Sequence, residues 1–468
     1  ALNEIQDRFG YLPERELRSL STRVGIPLHR LHEVASFFPH YRLMPPPAID
    51  VKVCRDLACH LHGAVRLKRS VEELAREVGG RQIHVEGVSC LGQCDHAPAL
   101  LINDHVAHGK TESEIRWMIR DVLANKVVPE HASDRSCVGW KIDPYQGVPR
   151  YEAARRLAES NDAAAVLKAL EESTLAGLGG AGFPTFRKWD LVRKAKSKTK
   201  YVVCNADEGE PGTFKDRERL RRAPHLVIEG MVLAGLVAGA EQGYIYIRHE
   251  YHDEINALRA AITEARDHGL KIGDESGELF ETDRRFRLEL FVSPGGYICG
   301  EESALLEAME DRRAEPRNKP PFPVEAGLRG KPTVLNNVET LSWTPGIVLN
   351  GGAWYRDFGI NGAAGMRFVS ISGDVNRPGV YEVPFGLTVR SLIHDLAGGM
   401  RDGQALKAIA PSGPSGGFLP AQCLARNLPK AFLDEHSLAS GESYDILDLT
   451  LDNRSLRSIG SMLGAAFF

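Results

Sequence analysis

Gly177-Leu178-Gly179-Gly180-Ala181-Gly182-Phe183-Pro184, followed by Thr185 and then Lys188-Trp189, is the stretch on which the reading of this 468-residue chain turns. Four glycines in six residues let a backbone turn tightly and bring its N–H groups close to a flat, phosphorylated ligand. The letters also satisfy G-x-G-x-x-G, which in a doubly wound dinucleotide fold follows a strand and opens a helix. Here residues 163–173 (AAAVLKALEES) read as a helix before the glycines, and Pro184 follows them. The context therefore argues against that fold, and a structural glycine loop stays open beside a ligand cradle.

Outward from the loop, residues 201–204 (YVVC) read as a short buried strand. They deliver Asn205-Ala206-Asp207-Glu208-Gly209-Glu210-Pro211-Gly212-Thr213-Phe214-Lys215-Asp216. Three carboxylates in four positions, broken by Gly and Pro, cannot pack into a core unpaired. They repel phosphate, so the hydroxyls or ring N–H groups of a nucleotide suit them; a solvated acidic turn is the other reading. Gly295-Gly296-Tyr297-Ile298-Cys299-Gly300-Glu301-Glu302 repeats this chemistry. Lys319-Pro320-Pro321-Phe322-Pro323 adds a cation and an aromatic on a stiff backbone, and Asn336-Asn337 adds paired amides.

Together GLGGAGFPT..KW, CNADEGEPGTFKD, GGYICGEES, KPPFP and NNVETL resemble the flavin subunit of respiratory complex I and its relatives. Those relatives are the diaphorase subunits of NAD-reducing hydrogenases and of NAD-dependent formate dehydrogenases. The resemblance implies that FMN is held by Gly177, Gly179, Gly180, Gly182, Lys188, Asn205, Asp207, Glu208, Glu210, Tyr297, Gly300, Glu301, Asn336 and Asn337. Lys188 suits the phosphate or the ring carbonyl, and the two asparagines the phosphate end. For NAD(H) it implies Phe183 and Phe322 around the adenine, Lys319 at the pyrophosphate and Glu302 at a ribose hydroxyl. Glu210 and Tyr297 are expected along the nicotinamide. Hydride transfer needs no protein acid or base, and Glu210 is the sole catalytic candidate. Leu178, Phe186, Leu191 and Gly296 depart from the common pattern of the family.

Residues 1–48 read as short amphipathic helices, and FGYLPE, GIP and VASFFPHYRL resemble the helical start of a thioredoxin-like [2Fe–2S] subunit. Residues 49–126 alternate strand and helix, and Cys54, Cys59, Cys90 and Cys94 fall at predicted strand ends in the pattern C-x4-C…C-x3-C. Four thiolates from two loops can hold an Fe–S cluster or a tetrahedral zinc. Structural zinc favours tighter C-x2-C pairs, and the wider spacings suit a two-iron rhomb better. CRDLACHLHGA and CLGQCDHAPA resemble the thioredoxin-like [2Fe–2S] ferredoxin, which implies the four cysteines as cluster ligands and gives His60, His84 and His96 no such role. Cys137 and Cys423 read as small apolar fillers, and Cys204 and Cys299 have no base nearby in sequence.

The expected architecture is multidomain, mixed α/β and α+β. Helices at 1–48 lead into a thioredoxin-like ferredoxin domain at 49–126; a connecting segment covers 127–160. A complex I-type FMN-binding α/β domain follows at 161–350 and a β-grasp, soluble-ligand-binding domain at 351–468. In the family a helical domain holding a [4Fe–4S] cluster comes next, and that cluster is expected only in a region beyond Phe468. Hydrophobic and charged contents of 43% and 26% are those of a globular protein. The net charge of −4 predicts neither nucleic-acid nor membrane binding, and the longest apolar run is too short to span a bilayer. Eight cysteines without a secretory signal predict a reducing, cytoplasmic setting.

NADH delivers electrons as a hydride, whereas a [2Fe–2S] cluster takes one at a time, and a flavin can do both. The expected function is thus an NADH-oxidising or NAD-reducing diaphorase module, the β subunit of a formate dehydrogenase in first place. A hydrogenase or complex I diaphorase subunit is the alternative, and a non-catalytic flavin-fold scaffold a remote one. The expected partners are NAD(H) and a catalytic or electron-relay subunit with further Fe–S clusters.

Overall fold

The structure is a computed structural model that describes residues 1–78, 82–124, 140–464 and 466–467. Cys137 lies outside the described residues. The described residues divide into two compact units, one of 1–124, 248–250 and 292–318, the other of 140–247, 251–291 and 319–467.

The first unit opens with helices α1 (Leu2–Phe9), α2 (Glu14–Val24) and α3 (Leu28–Phe37), whose apolar faces bury Leu2, Leu17, Leu20, Leu31 and Ala35 around Leu12. Then come β1 (Ile49–Cys54), α4 (Leu57–Leu61), α5 (Ala64–Glu77), β2 (Ile83–Val88), β3 (Ala99–Ile102), β4 (His105–His108) and α6 (Glu112–Leu123). The sheet runs β2-β1-β3-β4, with β1 parallel to β2 and antiparallel to β3. Val51, Val53, Val71, Leu74, Ile102, Ile115 and Ile119 share one core, which seats α5 and α6 on the sheet. Thr111 and Glu114 form a reciprocal cap that starts α6. Residues 292–318 of this unit carry α13 (Glu302–Met309).

The second unit contains α7 (Glu152–Ser160), α8 (Ala163–Ser173), α9 (Thr185–Lys194), β5 (Tyr201–Ala206), α10 (Lys215–Arg222), α11 (Pro224–Ala238), β6 (Gln242–Arg248), α12 (His252–Glu264), β7 (Arg287–Ser293), α14 (Pro323–Ala326), β8 (Thr333–Asn337) and α15 (Val338–Asn350). The ends of β6 and β7 lead the chain into the segments 248–250 and 292–318. The sheet order is β7-β6-β5-β8, with β5 parallel to both β6 and β8. Helix α11 is apolar on all sides and buried almost throughout, as its composition predicts. It packs on α15 so closely that a Cβ on Gly230 would stand 2.2 Å from the Leu341 carbonyl oxygen. Further along, β9 (Met366–Ile371) pairs antiparallel with β10 (Gly379–Pro384) and parallel with Ala466–Phe467 around a separate core.

One element differs from the sequence reading. The stretch read as connecting contains α7, whose buried face is built mainly from Ala153, Ala154, Leu157 and Ala158; alanines carry little periodic signal. Among the described residues no helix is long and apolar enough to cross a membrane.

Helix α7 is preceded by Tyr151, whose side chain provides no cap. Its first N–H groups are met instead from inside α11: Glu229 accepts from Tyr151 N–H and Ala154 N–H, both at 3.1 Å, and from the Tyr145 hydroxyl at 2.8 Å. Burial pushes the Glu229 carboxyl up to about 7, against these hydrogen bonds. Its proton is therefore held more tightly in the folded chain than in the unfolded one. Stability from this group is complete below its ordinary value of 4.5 and is lost as pH rises through 7, a span worth about 3 kcal/mol. Relative to Glu229→Gln, the wild type is expected to lose melting temperature between pH 4.5 and 8; parallel melting curves across that range would refute the assignment.

Candidate functional site

The site in the second unit grows from the ends of two parallel strands. Cys204 of β5 pairs with Asn336 of β8, and Asn205 with Asn337. The acidic turn and the paired amides, more than a hundred residues apart in sequence, therefore emerge side by side at the carboxyl edge of the sheet, where open α/β sheets bind ligands. Asn336 accepts from the Trp189 indole at 2.9 Å. Lys188, one position earlier on α9, donates to the Leu335 carbonyl at 2.8 Å.

Beneath this edge lies a group that the sequence reading did not single out. Lys215 is fully buried, with its Nζ 2.6 Å from Asp216 Oδ1, 2.9 Å from Glu339 Oε2 and 3.3 Å from Asn337 Oδ1. Burial opposes its charge, but Asp216 and Glu339 outweigh that and raise its pKa above the ordinary lysine value. Asn337 also donates to Asp216 Oδ2 at 2.6 Å and accepts from Glu339 N–H at 2.9 Å, capping α15. The signal that could have found Lys215 was its place in TFKD, where no amphipathic pattern gives a lysine a solvent face.

Glu208, expected at the flavin, has both carboxylate oxygens engaged. They accept from Asp216 N–H at 2.9 Å, Arg217 N–H at 3.1 Å and the Tyr251 hydroxyl at 3.0 Å. It therefore holds the start of α10 in place. Burial, with the Asp216 charge nearby, pushes its carboxyl up to about 7. Asn205 accepts from Asp207 N–H at 3.1 Å, which shapes the turn. Glu210 accepts from Ser415 N–H at 2.9 Å, and a Cβ on Gly413 would stand 2.5 Å from the Pro211 carbonyl, so the loop 412–417 lies directly on the acidic turn.

The glycine loop closes over the same edge. Leu178 N–H donates to Thr340 Oγ1 at 2.9 Å, and a Cβ on Gly179 would meet Asn337 Cβ at 3.0 Å. Gly180 and Gly182 have φ of 111° and 65°, the region that favours glycine. Gly182 N–H donates back to Gly177 C=O, whereas the N–H groups of Gly179, Gly180 and Ala181 make no hydrogen bond among the described residues. Three consecutive donors on an exposed loop, beside a buried lysine and two amides, fit the phosphate and polar edge of a flavin nucleotide. Asn453 and Arg457, from the far end of the chain, also come to the loop: a Cβ on Gly182 would lie 3.8 and 3.7 Å from their side-chain nitrogens. Phe183 immediately precedes the Pro184 cap of α9, and Phe322 is the residue before α14. The two helices pack together, and both rings are solvent-exposed, at 39% and 50%. Lys319 is exposed near the same end of α14.

In the first unit, Glu301 accepts from Ser303 N–H and Ala304 N–H at 2.8 Å and from the Ser303 hydroxyl at 2.5 Å, capping α13. Tyr297 is half exposed, Gly300 and Glu302 are partly exposed, and Cys299 is buried. The four cysteines of the C-x4-C…C-x3-C pattern do converge. Cys54 ends β1, Cys59 sits in α4, Cys90 follows β2 and Cys94 opens the next turn, all buried. The Cys54 thiol meets those of Cys59 and Cys90, and Cys90 Sγ lies 3.4 Å from Cys94 Sγ. Among the described residues no His, Cys, Asp or Glu set is arranged as a cage for a single metal ion. The donor set, four buried sulfurs from two loops, fits a two-iron cluster. Hydrogen bonds from Cys54 and Cys94, with the Arg248 charge, hold Cys90 below its ordinary thiol value, and its contacts with Cys59 and Cys90 raise Cys54.

Comparison with known proteins agrees with both halves. Residues 170–345 match the Nuo51 FMN-binding domain, residues 1–123 the thioredoxin-like [2Fe-2S] ferredoxin and residues 368–419 the SLBB domain. The chain is 42% identical over 329 residues to an NADH-quinone oxidoreductase subunit of Rhizobium meliloti (strain 1021), covering 70% of this chain and 72% of that one. It is 34% identical over 437 residues to the NAD-reducing hydrogenase HoxS subunit alpha of Cupriavidus necator, covering 88% and 71%. Among solved structures, a chain of an NAD+-reducing [NiFe]-hydrogenase in the air-oxidized state matches with a TM-score of 0.80 and 29% identity, over 100% of this chain and 76% of that chain. The chain belongs to the complex I flavoprotein family, as an oxidoreductase subunit that joins a thioredoxin-like [2Fe–2S] domain to an FMN-binding domain.

Proposed function

We propose that this chain is the NAD(H)-reacting diaphorase module of a larger redox complex. The observation that carries the reading is the meeting, at Asn337, of Gly179 from the glycine loop and the buried Lys215 cluster. When bound, FMN exchanges a hydride with NAD(H) and single electrons with the [2Fe–2S] cluster. The chain's own residues bind and orient. Gly177, Gly179, Gly180 and Gly182 shape the cradle, and Lys188, Asn205, Asp207, Asn336 and Asn337 supply its polar edge. Phe183 and Phe322 grip the adenine of NAD, Lys319 meets its pyrophosphate, and Glu210 lines the nicotinamide side. Cys54, Cys59, Cys90 and Cys94 hold the cluster.

The finer assignment we propose is the β subunit of an NAD-dependent formate dehydrogenase, with a catalytic subunit carrying further Fe–S clusters as partner, in the cytoplasm. GLGGAGFP, DEGEPGTFKD and Pro414-Ser415-Gly416-Gly417 support it, and the last of these lies on Glu210. The alternative, a diaphorase subunit of an NAD-reducing hydrogenase, is favoured by the match to the HoxS alpha subunit across 88% of the chain. An anaerobic NADH titration followed by absorbance and low-temperature EPR tests the module: flavin bleaching with a rhombic [2Fe–2S] signal is expected. Flavin that NADH leaves oxidised would return the chain to a non-catalytic scaffold. NAD reduction by the complex isolated through this chain, driven by formate or by hydrogen, separates the two partners.

A further inference from the structure

One buried cation stands beside the cysteine set, and neither NAD nor flavin chemistry accounts for it. Arg248 is 4% exposed, and its Nη2 donates to the Cys90 carbonyl oxygen at 2.6 Å. The same guanidinium forks onto Glu250, with Nε 3.0 Å from Oε2 and Nη2 2.9 Å from Oε1. Burial opposes the Glu250 charge, but Arg248 outweighs it and keeps the carboxyl ionised well below the usual range. His249, between the two, packs against His40 with ring centroids 4.5 Å apart and planes tilted by 42°, and a Cβ on Gly295 would come within 2.8 Å of its ring. The turn 248–250 is thus gripped on both sides, and the guanidinium is held in one orientation against the backbone of a sulfur ligand.

We propose that Arg248, oriented by Glu250, is a positioning residue that sets the reduction potential of the [2Fe–2S] cluster held by Cys54, Cys59, Cys90 and Cys94. The inference rests on that ligand set. Reduction adds one electron and hence one negative charge to the cluster, with no bond made or broken. A buried cation beside Cys90 favours the added charge, and a buried carboxylate behind the cation opposes it; both act through a poorly screening interior. The fork makes the cation's placement reproducible, because a bidentate guanidinium–carboxylate pair has little freedom to swing.

The test is an EPR-monitored redox titration of the flavin- and cluster-loaded protein as wild type, Arg248→Leu, Arg248→Lys and Glu250→Gln. Removing the cation is expected to lower the cluster's midpoint potential, and neutralising the carboxylate to raise it. Each shift should reach about tenfold in the oxidised-to-reduced ratio, which is 59 mV for a one-electron couple. Arg248→Lys, which keeps the charge, should lie between wild type and Arg248→Leu, and the flavin potential should stay put throughout. A merely structural role would move both charge variants the same way or not at all, and either result overturns the proposal. If Arg248→Leu does not retain its iron, Glu250→Gln decides alone, since it preserves the shape of the fork: an upward shift supports the proposal and an unchanged potential overturns it. A wild-type protein with no [2Fe–2S] signal would instead overturn the ligand set.

Discussion

Cys90→Ser is expected to strip most of the iron from the purified protein and abolish the [2Fe–2S] EPR signal while leaving flavin content near that of wild type. Cys90 is the sulfur through which the set is connected, in contact with Cys54 on one side and 3.4 Å from Cys94 Sγ on the other. Gly92 N–H also points at its sulfur at 3.4 Å, so the loop is already arranged around a thiolate there. A serine oxygen is smaller, harder and far harder to deprotonate, which makes it a poor ligand for a soft iron–sulfur centre. The glycine loop and the strand-end amides belong to the other compact unit and are untouched. Iron analysis, EPR and flavin fluorescence on one preparation check the expectation. Unchanged iron would remove Cys90 from the ligand set; loss of both cofactors would show that the two units do not fold separately.

Lys215→Met should cost about 3–5 kcal/mol, the loss expected when one partner of a buried charge cluster is removed and the rest stays behind. Two carboxylates, Asp216 at 2.6 Å and Glu339 at 2.9 Å, would lose their shared cation in a fully buried site. Methionine matches the aliphatic stem of lysine, so the effect is one of charge and hydrogen bonding, with little change in volume. Because Asn337 is held by both Lys215 and Asp216, flavin retention should fall with stability. Denaturant unfolding and flavin content measure the two effects. Lys215→Met combined with Asp216→Asn should recover part of the stability, since it removes one stranded charge. A single variant as stable as wild type, with full flavin, would show that the cluster carries neither fold nor site.

Much of the local structure was legible because it depends on neighbours in sequence. The helix at 163–173 has the bounds read from the sequence, and 49–126 alternate strand and helix as expected. The four cysteines could be read as a set because two short spacings at strand ends are enough to bring thiols together. Helix α7 escaped notice because its buried face is mostly alanine. Strand β8 was hidden inside a motif read only for its two amides, although Thr333-Val334-Leu335 has the right residue types.

What the sequence by itself determined is therefore the chemistry on offer: glycines with free N–H groups, acids and amides on short turns, aromatics before helix starts, and sulfurs in pairs. What only the tertiary structure decided is how each of these groups is used. Glu208 steadies the start of α10, and Glu301 caps α13. Lys215 becomes the buried cation beneath the cradle, and Arg248 the one beside Cys90. The reason is physical. A carboxylate or a cation cannot stay unpaired once water is removed, and its nearest available partner is set by how the chain returns through space, over separations of 124 residues for Lys215 and Glu339 and 158 for Arg248 and Cys90.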